Sequence, residues 1–274
     1  MSAPDRSASS LPAWPERPQL SYTIGTLVTD TGVYDSMRRS FVAGGFGETD
    51  CEYLAIDNTG LHKSGASQTS AYAGLNRVLA AARGRYVILC HQDVELLADG
   101  RAALDSRLDE LEAHDPAWGV AGNAGGVKPG LLALRITDPH GADTRVGRFP
   151  ARVRSLDENF LVVKRGAGLG FSRDLDGFHL YGADICLVAA TLGASAYVID
   201  FHLRHLSAGN SRTGDFARAL AAFQAKWSRA LAPRWVQTTC ALLVLSGSAW
   251  GRGWRRAVAA HVAKLNRWRD KRGP

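Results

Sequence analysis

Residues 83–97 read RGRYVILCHQDVELL, an apolar run that stops abruptly at a polar His-Gln-Asp. Tyr86-Val87-Ile88-Leu89-Cys90 is unbroken, aromatic and β-branched, and it is entered through Gly84. A run without alternation predicts a strand covered on both faces, as in a parallel sheet. His91 and Asp93 then fall at its carboxyl end, where the loops of an open α/β sheet form the ligand crevice. Taken alone, the same residues also read as an ordinary polar turn before a helix.

Outward from this stretch, strands and helices alternate. Tyr22–Val28 and Glu52–Asp57 predict two further strands, and Arg85–Cys90 is the third. Ser70–Ala82 predicts a helix with Tyr72, Leu75, Val78 and Leu79 on one face, and Arg101–Ala113 another with Leu104, Leu108 and Leu111 at helical spacing. Strands separated by such helices imply βαβ crossovers, an α/β class and a mainly parallel sheet. Beyond Trp118-Gly119-Val120-Ala121, short runs at Leu131–Ile136, Arg148–Arg154 and Phe160–Lys164 predict an antiparallel add-on continuous with that sheet. A helix is expected from near Asp184, a strand over Ala196–Asp200, and a long helix capped by Thr213 that carries Phe216, Leu220, Phe223, Trp227 and Leu231.

Composition bounds the rest. The first twenty residues are rich in Ser, Pro and Ala without an apolar stretch, which predicts a disordered lead-in and neither a signal peptide nor a membrane span. Cys51, Cys90, Cys186 and Cys240 are too widely spaced for a zinc ribbon or a disulfide framework and fit reduced thiols in a cytoplasmic protein. The formal net charge of +7 is concentrated from Arg252 onward, where eight lysines and arginines face only Asp270. With no nucleic-acid-binding motif in the chain, that distribution argues against a nucleic-acid partner. Cys240–Trp250 is apolar but too short to span a bilayer. Trp254, Val258, Val262 and Leu265 among the basic residues predict an amphipathic helix, either lying on an anionic membrane or packed on the main domain with a solvated basic face. The expected organisation is a lead-in over 1–20, one domain over 21–232 and a basic helical extension over 233–274.

Polar groups stand after three successive strands: Thr29 and Asp30, then Asp57 and Asn58, then His91 and Asp93. Any one of these is compatible with a turn; three at one edge of a parallel sheet look like a single site. Asp184 stands at the expected start of a helix, as an N-cap or as a base. His202 and His205 are candidate metal ligands on a weak H-x-x-H pattern. Gly166–Phe171 superficially matches a glycine-rich cofactor loop, but no helix follows it, and it is expected to be a mobile loop near an acceptor.

Taken in order, VTDTGVYDSMRRSF, YLAIDNTG, AYAGLNRVLAAARGRYVILCHQDVEL, LDENFLVVKR and FHLYGADICLVAATLGASAYVIDFHLRHLSAGN resemble family 2-type bacterial glycosyltransferases of the GT-A fold, in the branch with H-x-D in place of D-x-D. The likeness runs from about Tyr22 to Trp227. It implies a nucleotide-sugar donor contacted by Thr29, Asp57, Asn58, Gly74, Asn76 and His91, and a divalent metal, Mn2+ or Mg2+, on Asp93 and His205. It further implies Asp184 as the base of an inverting transfer; Glu158, His179 and Tyr181 are expected on the side of a glycan or lipid-linked acceptor. The expected location is cytoplasmic, with peripheral contact on the inner face of the membrane through the basic C-terminal helix. The sequence departs from the commoner pattern at His91 and at Ala183-Asp184. Two rivals follow: a sugar-nucleotide nucleotidyltransferase, which needs a basic phosphate loop that LVTDTGVYDS lacks, and a catalytically inactive carbohydrate-binding protein on the same fold.

Overall fold

The computed structural model describes residues 20–61, 67–137, 139–207, 214–237 and 242–246. The chain divides into two compact units, Met1–Phe216 and Ala217–Pro274, with the division inside a long helix.

The first unit runs β1 (Leu20–Val28), α1 (Thr31–Ala43), β2 (Cys51–Asp57), α2 (Ala71–Ala81), β3 (Gly84–Cys90), β4 (Val94–Leu96), α3 (Arg101–His114), β5 (Trp118–Gly122), β6 (Ala124–Lys128), β7 (Leu131–Thr137), β8 (Asp143–Val146), β9 (Ala151–Arg152), β10 (Ser155–Leu156), β11 (Phe160–Lys164), α4 (Tyr181–Thr191), β12 (Ser195–Val198) and β13 (Leu203–His205). Its main sheet has the order β2-β1-β3-β11-β5-β12-β9. β1 is parallel to β2 and β3, and β5 to β12, whereas β11 lies antiparallel between β3 and β5. This mixed, mainly parallel α/β sheet agrees with the GT-A fold that the resemblance implied.

Three expectations need correction. The add-on is not one continuation of the main sheet: β9 and β11 join it, but β10-β6-β7-β13-β4, with β8 on β7, make a second sheet. Apolar runs locate strands, whereas partners are set by non-local pairing. The helix α1 was not anticipated; Asp30 caps it by accepting from the Val33 N–H, and Met37 and Phe41 are its buried contacts. The helix α4 begins at Tyr181 behind Leu180, whose φ of 66° is left-handed, so Asp184 sits within the first turn and is not the N-cap.

β3 is the centre of the first unit. From Tyr86 to Cys90 every side chain is buried, as the unbroken apolar run requires. Tyr86 stacks on Trp118 at 5.8 Å, and Phe160 stacks on Phe201 at 5.3 Å. Cys51, Cys90 and Cys186 are buried and free.

The long helix α5 (Gly214–Leu231) leads into the second unit, where β14 (Arg234–Gln237) and β15 (Leu242–Leu245) pair antiparallel. The described part of the expected helical extension is therefore a hairpin, consistent with the strand preference of Trp235, Val236 and Val244. The lead-in over 1–19, the Thr213 cap, Cys240 and the basic segment from Arg252 onward lie outside the described residues. Among the described residues no helix is long and apolar enough to cross a membrane.

Phe160, fully buried between two neighbouring strands, tests this core. Phe160→Ala should cost about 3–5 kcal/mol in urea unfolding with little change in m. A loss under about 1 kcal/mol would contradict the central position of β11.

Candidate functional site

The site follows from strand register. Parallel pairing aligns Val28 with Asp57 and Gly25 with Leu89, so β1, β2 and β3 end at one edge and present Thr29, Asp57 and His91 there. The antiparallel strand β11 starts where β3 stops. Phe160 faces Cys90, and the His91 N–H donates to the Asn159 carbonyl at 3.0 Å, which brings Glu158 to the same edge. In the second sheet His205 faces Val94, and the Leu206 N–H donates to the Asp93 carbonyl at 2.9 Å. These segments enclose a pocket of about 250 Å³ lined in part by Thr29, His91, Gln92, Asp93, Glu158, Tyr181 and Ser207.

His91 and Asp93 in its wall, together with the neighbouring His205, offer ligand atoms that all lie within 4.8 Å of one another. His91 Nδ1 is 3.2 Å from His205 Nε2, and Asp93 Oδ1 is 3.4 Å from His205 Nε2 and 3.9 Å from His91 Nδ1. The tautomer of His91 is set from behind. Tyr181 donates its hydroxyl proton to the Glu158 carbonyl, so its oxygen accepts from His91 Nε2–H at 2.8 Å and leaves Nδ1 as a lone pair facing His205 and Asp93. Burial, then the neighbouring His205, push the His91 imidazole below its ordinary value and keep it neutral. Burial alone would raise Asp93, but hydrogen bonds from His205 and Ser207 outweigh it and hold the carboxyl at about 2. Two imidazoles and one carboxylate at these separations fit a divalent cation, whose ligands at about 2.1 Å stand roughly 3 Å apart. His91, expected on the donor side, thus joins Asp93 and His205 in one donor set.

Glu158 is the other acid of this pocket. Burial, reinforced by Asp157, raises its carboxyl to about 8, although the backbone N–H groups of Leu180, Gly182 and Tyr181 pull it back. Those donors are the first turn of α4, aimed by the left-handed Leu180. Gly182 is required here, because a Cβ would lie 2.3 Å from the Leu156 carbonyl oxygen.

Other expected site residues are engaged elsewhere. Asp184 is fully buried and outside the pocket lining; its Oδ2 accepts from the Ser172 N–H at 2.8 Å and its Oδ1 from the Ser172 hydroxyl at 2.7 Å. A carboxylate so held ties the loop before α4 to that helix, and it does not face the crevice. Asn58 and Asn76 are backbone clamps: Asn58 pairs with both the N–H and C=O of Thr69, and Asn76 with those of Phe171. The second clamp anchors the end of the Gly166–Phe171 stretch, expected to be mobile. Gly74 lets α2 approach the sheet, where a Cβ would meet Leu27, Ile56 and Thr69 at 3.3–3.4 Å. Asp57 is exposed at the sheet edge, where hydrogen bonds from the Thr59 hydroxyl and N–H lower its carboxyl. His179 lies outside the lining, with its ring edge-on to Phe216 at 5.5 Å and its carbonyl accepting from Tyr72. His202 bonds Thr137 at 2.8 Å and is no part of the triad. A larger pocket of about 680 Å³, with Asn76, Arg77, Arg173 and Asp176 in its wall, contains none of the triad.

Two residues at the site were not singled out by sequence. Gln92 Oε1 accepts from the N–H groups of Thr29 and Asp30 at 2.9 and 3.0 Å, locking the ends of β1 and β3 together. Ser207 reaches His205 Nε2 at 3.2 Å. The central position of Gln92 in His-Gln-Asp was the available signal for it.

No protein-family model matches the chain. It is 43% identical over 192 residues to the Fuscovulum blasticum protein called "ATP synthase subunits region ORF 6", covering 68% of this chain and 75% of that one. The chain belongs to the family of that protein. The ORF 6 name states no activity. Among solved structures the chain is similar to GalNAc-T7 crystallised with UDP, GalNAc and Mn2+, at TM-score 0.49 and 12% identity, covering 75% of this chain and 48% of that one. It is also similar to mannosyl-3-phosphoglycerate synthase from Rubrobacter xylanophilus, at TM-score 0.46 and 14% identity, covering 82% and 86%.

If Tyr181 orients His91, Tyr181→Phe should weaken Mn2+ binding by about 10–100-fold, read by calorimetry, in a folded protein. Unchanged affinity would detach Tyr181 from the donor set.

Proposed function

We propose that this member of the ORF 6 family is an inverting glycosyltransferase of the GT-A type, using a nucleotide-sugar donor with a divalent cation and a hydroxyl of a glycan or lipid-linked acceptor. One observation carries the reading: His91 Nδ1, Asp93 Oδ1 and His205 Nε2 converge at the carboxyl edge of parallel strands, and His91 and Asp93 share a pocket with the half-buried Glu158. Thr29 and Asp57, at the adjoining strand ends, are assigned to the nucleotide side.

His91, Asp93 and His205 would hold the divalent cation, which when bound would supply Lewis-acid stabilisation of the charge that gathers on the diphosphate. Two imidazoles to one carboxylate favour Mn2+ over Mg2+. Gln92 keeps the Thr29 and His91 loops in register, and Tyr181 keeps the His91 lone pair forward.

Glu158 takes the proton-accepting role that the resemblance gave to Asp184. The acceptor oxygen bonds to the anomeric carbon, its proton passes to the Glu158 carboxylate, and the bond from that carbon to the phosphate oxygen breaks with its electron pair leaving on the nucleoside diphosphate. The carboxyl raised to about 8 makes Glu158 a stronger base than an ordinary carboxylate, but a smaller fraction of it is ionised at neutral pH. Transfer should therefore rise with pH along a limb well above the usual carboxylate range. The sign for stability is opposite. The native state holds a proton that the unfolded chain releases near pH 4.3, so the contribution is full below that value and is lost as pH rises through about 8.

The first test is metal. Asp93→Ala should remove the Mn2+-dependent rise in melting temperature caused by UDP or GDP while the fold persists; survival of that rise excludes the triad. The second separates the two acids. Glu158→Gln should bind the donor but lose transfer by about a hundredfold or more. Asp184→Asn should instead lower stability by about 1–3 kcal/mol with turnover largely kept, because it disturbs a buried hydrogen-bonded anchor. The reverse pattern would return the base to Asp184, and metal-dependent donor binding with neither transfer nor donor hydrolysis would favour the inactive binding protein.

A further inference from the structure

Among its described residues the second unit displays exposed apolar side chains on a two-stranded ribbon. β14 and β15 pair Arg234 with Leu245 and Val236 with Leu243, which puts these four side chains on one face of the ribbon, because side chains alternate along a strand. Val236, Leu243 and Leu245 are 36%, 41% and 48% exposed. The opposite face carries Trp235, 54% exposed. Leu231, at the end of α5, is exposed as well. A two-stranded hairpin is marginal in water, and one that displays apolar groups on both faces needs another phase or another surface.

Charge identifies the occupant. From Ala217 to Pro274 there are twelve lysines and arginines against one acid, Asp270, whereas the first 216 residues hold 21 basic and 25 acidic side chains. The excess positive charge of the chain is thus confined to the segment that bears the exposed hairpin. Lys226, Arg229 and Arg234 stand close to it in sequence, and Arg234 donates to the carbonyls of Arg229 and Ala230, which binds the hairpin entry to the last turn of α5.

We propose that the β14–β15 hairpin is a docking element for an anionic lipid surface, with Leu243 and Leu245 on one face and Trp235 on the other within the headgroup boundary, and with basic residues of the same unit held by lipid phosphates. Tryptophan suits that boundary, with an apolar ring and a polar N–H. The open edges of a two-stranded ribbon forbid deeper insertion, since unpaired backbone groups cannot be satisfied in hydrocarbon. The hairpin therefore lies in the interface and does not span it. Polybasic attraction provides the long-range, salt-sensitive part, and the apolar side chains provide the part that salt does not screen. This inference is independent of the sugar chemistry and differs from the contact that the sequence led us to expect through the segment after Arg252.

The test uses the full chain and vesicles of phosphatidylcholine with or without roughly one-third phosphatidylglycerol. The protein should co-sediment with the anionic vesicles and not the neutral ones, and raising salt from about 0.05 to 0.5 M should weaken binding. The double substitution Leu243→Glu with Leu245→Glu, at exposed positions, should weaken binding at least about tenfold without lowering the melting temperature. Bilayer-embedded brominated lipid should quench tryptophan emission, and the quenching should diminish in Trp235→Phe. Full binding by the double variant, or unchanged quenching in Trp235→Phe, would overturn the hairpin as the docking element. So would a concentration-dependent dimer of the free protein that the double variant abolishes, because a second copy would then be the occupant.

Discussion

The antiparallel contact between β3 and β11, closed by the hydrogen bond from the His91 N–H to the Asn159 carbonyl, is the joint on which the site depends. An antiparallel neighbour begins where a parallel strand ends. Inserting β11 beside β3 therefore carries the Leu156–Asn159 segment to the edge at which His91 and Asp93 emerge. Had the neighbour been parallel, its own carboxyl end would have arrived there, and Glu158 would lie at the opposite edge of the sheet. The same logic operates in the second sheet, where the antiparallel pairing of β4 and β13 delivers His205.

Around that joint, two carboxylates of one pocket are driven in opposite directions. Asp93 is held low because two imidazoles and a hydroxyl face its oxygens, whereas Glu158 is raised because burial and Asp157 outweigh the three N–H groups of the helix end. Separation of two acids by environment is how a single site comes to hold both an anion for a cation and a base for a proton. Tyr181 connects the halves: its one hydroxyl donates to the Glu158 backbone and accepts from His91.

The two units divide the physical labour as they divide the charge. The first, slightly acidic, builds two sheets and a polar pocket; the second, strongly basic, leaves a hairpin with exposed aliphatic and aromatic side chains. Neither property follows from the net charge of the whole chain, which averages the two.

The sequence by itself determined the strands β1, β2 and β3, the helices α2 and α3, and the alignment of Thr29, Asp57, His91 and Asp93 along one edge. These follow from local pattern: a doubly buried strand has an unbroken apolar run, a core-facing helix has its 3.6-residue stripe, and the polar break after a parallel strand marks the crevice. Local pattern could not tell a polar side chain that faces a ligand from one that faces a backbone. Asn58, Asn76 and Asp184 looked like site residues, yet each is spent on a loop separated from it in sequence, at Thr69, Phe171 and Ser172. Nor could it assign the partners of β11, the existence of the second sheet, or the β14–β15 hairpin. Those were decided by hydrogen bonds between distant segments, whose energy depends on which backbone groups remain unpaired once the whole core has closed.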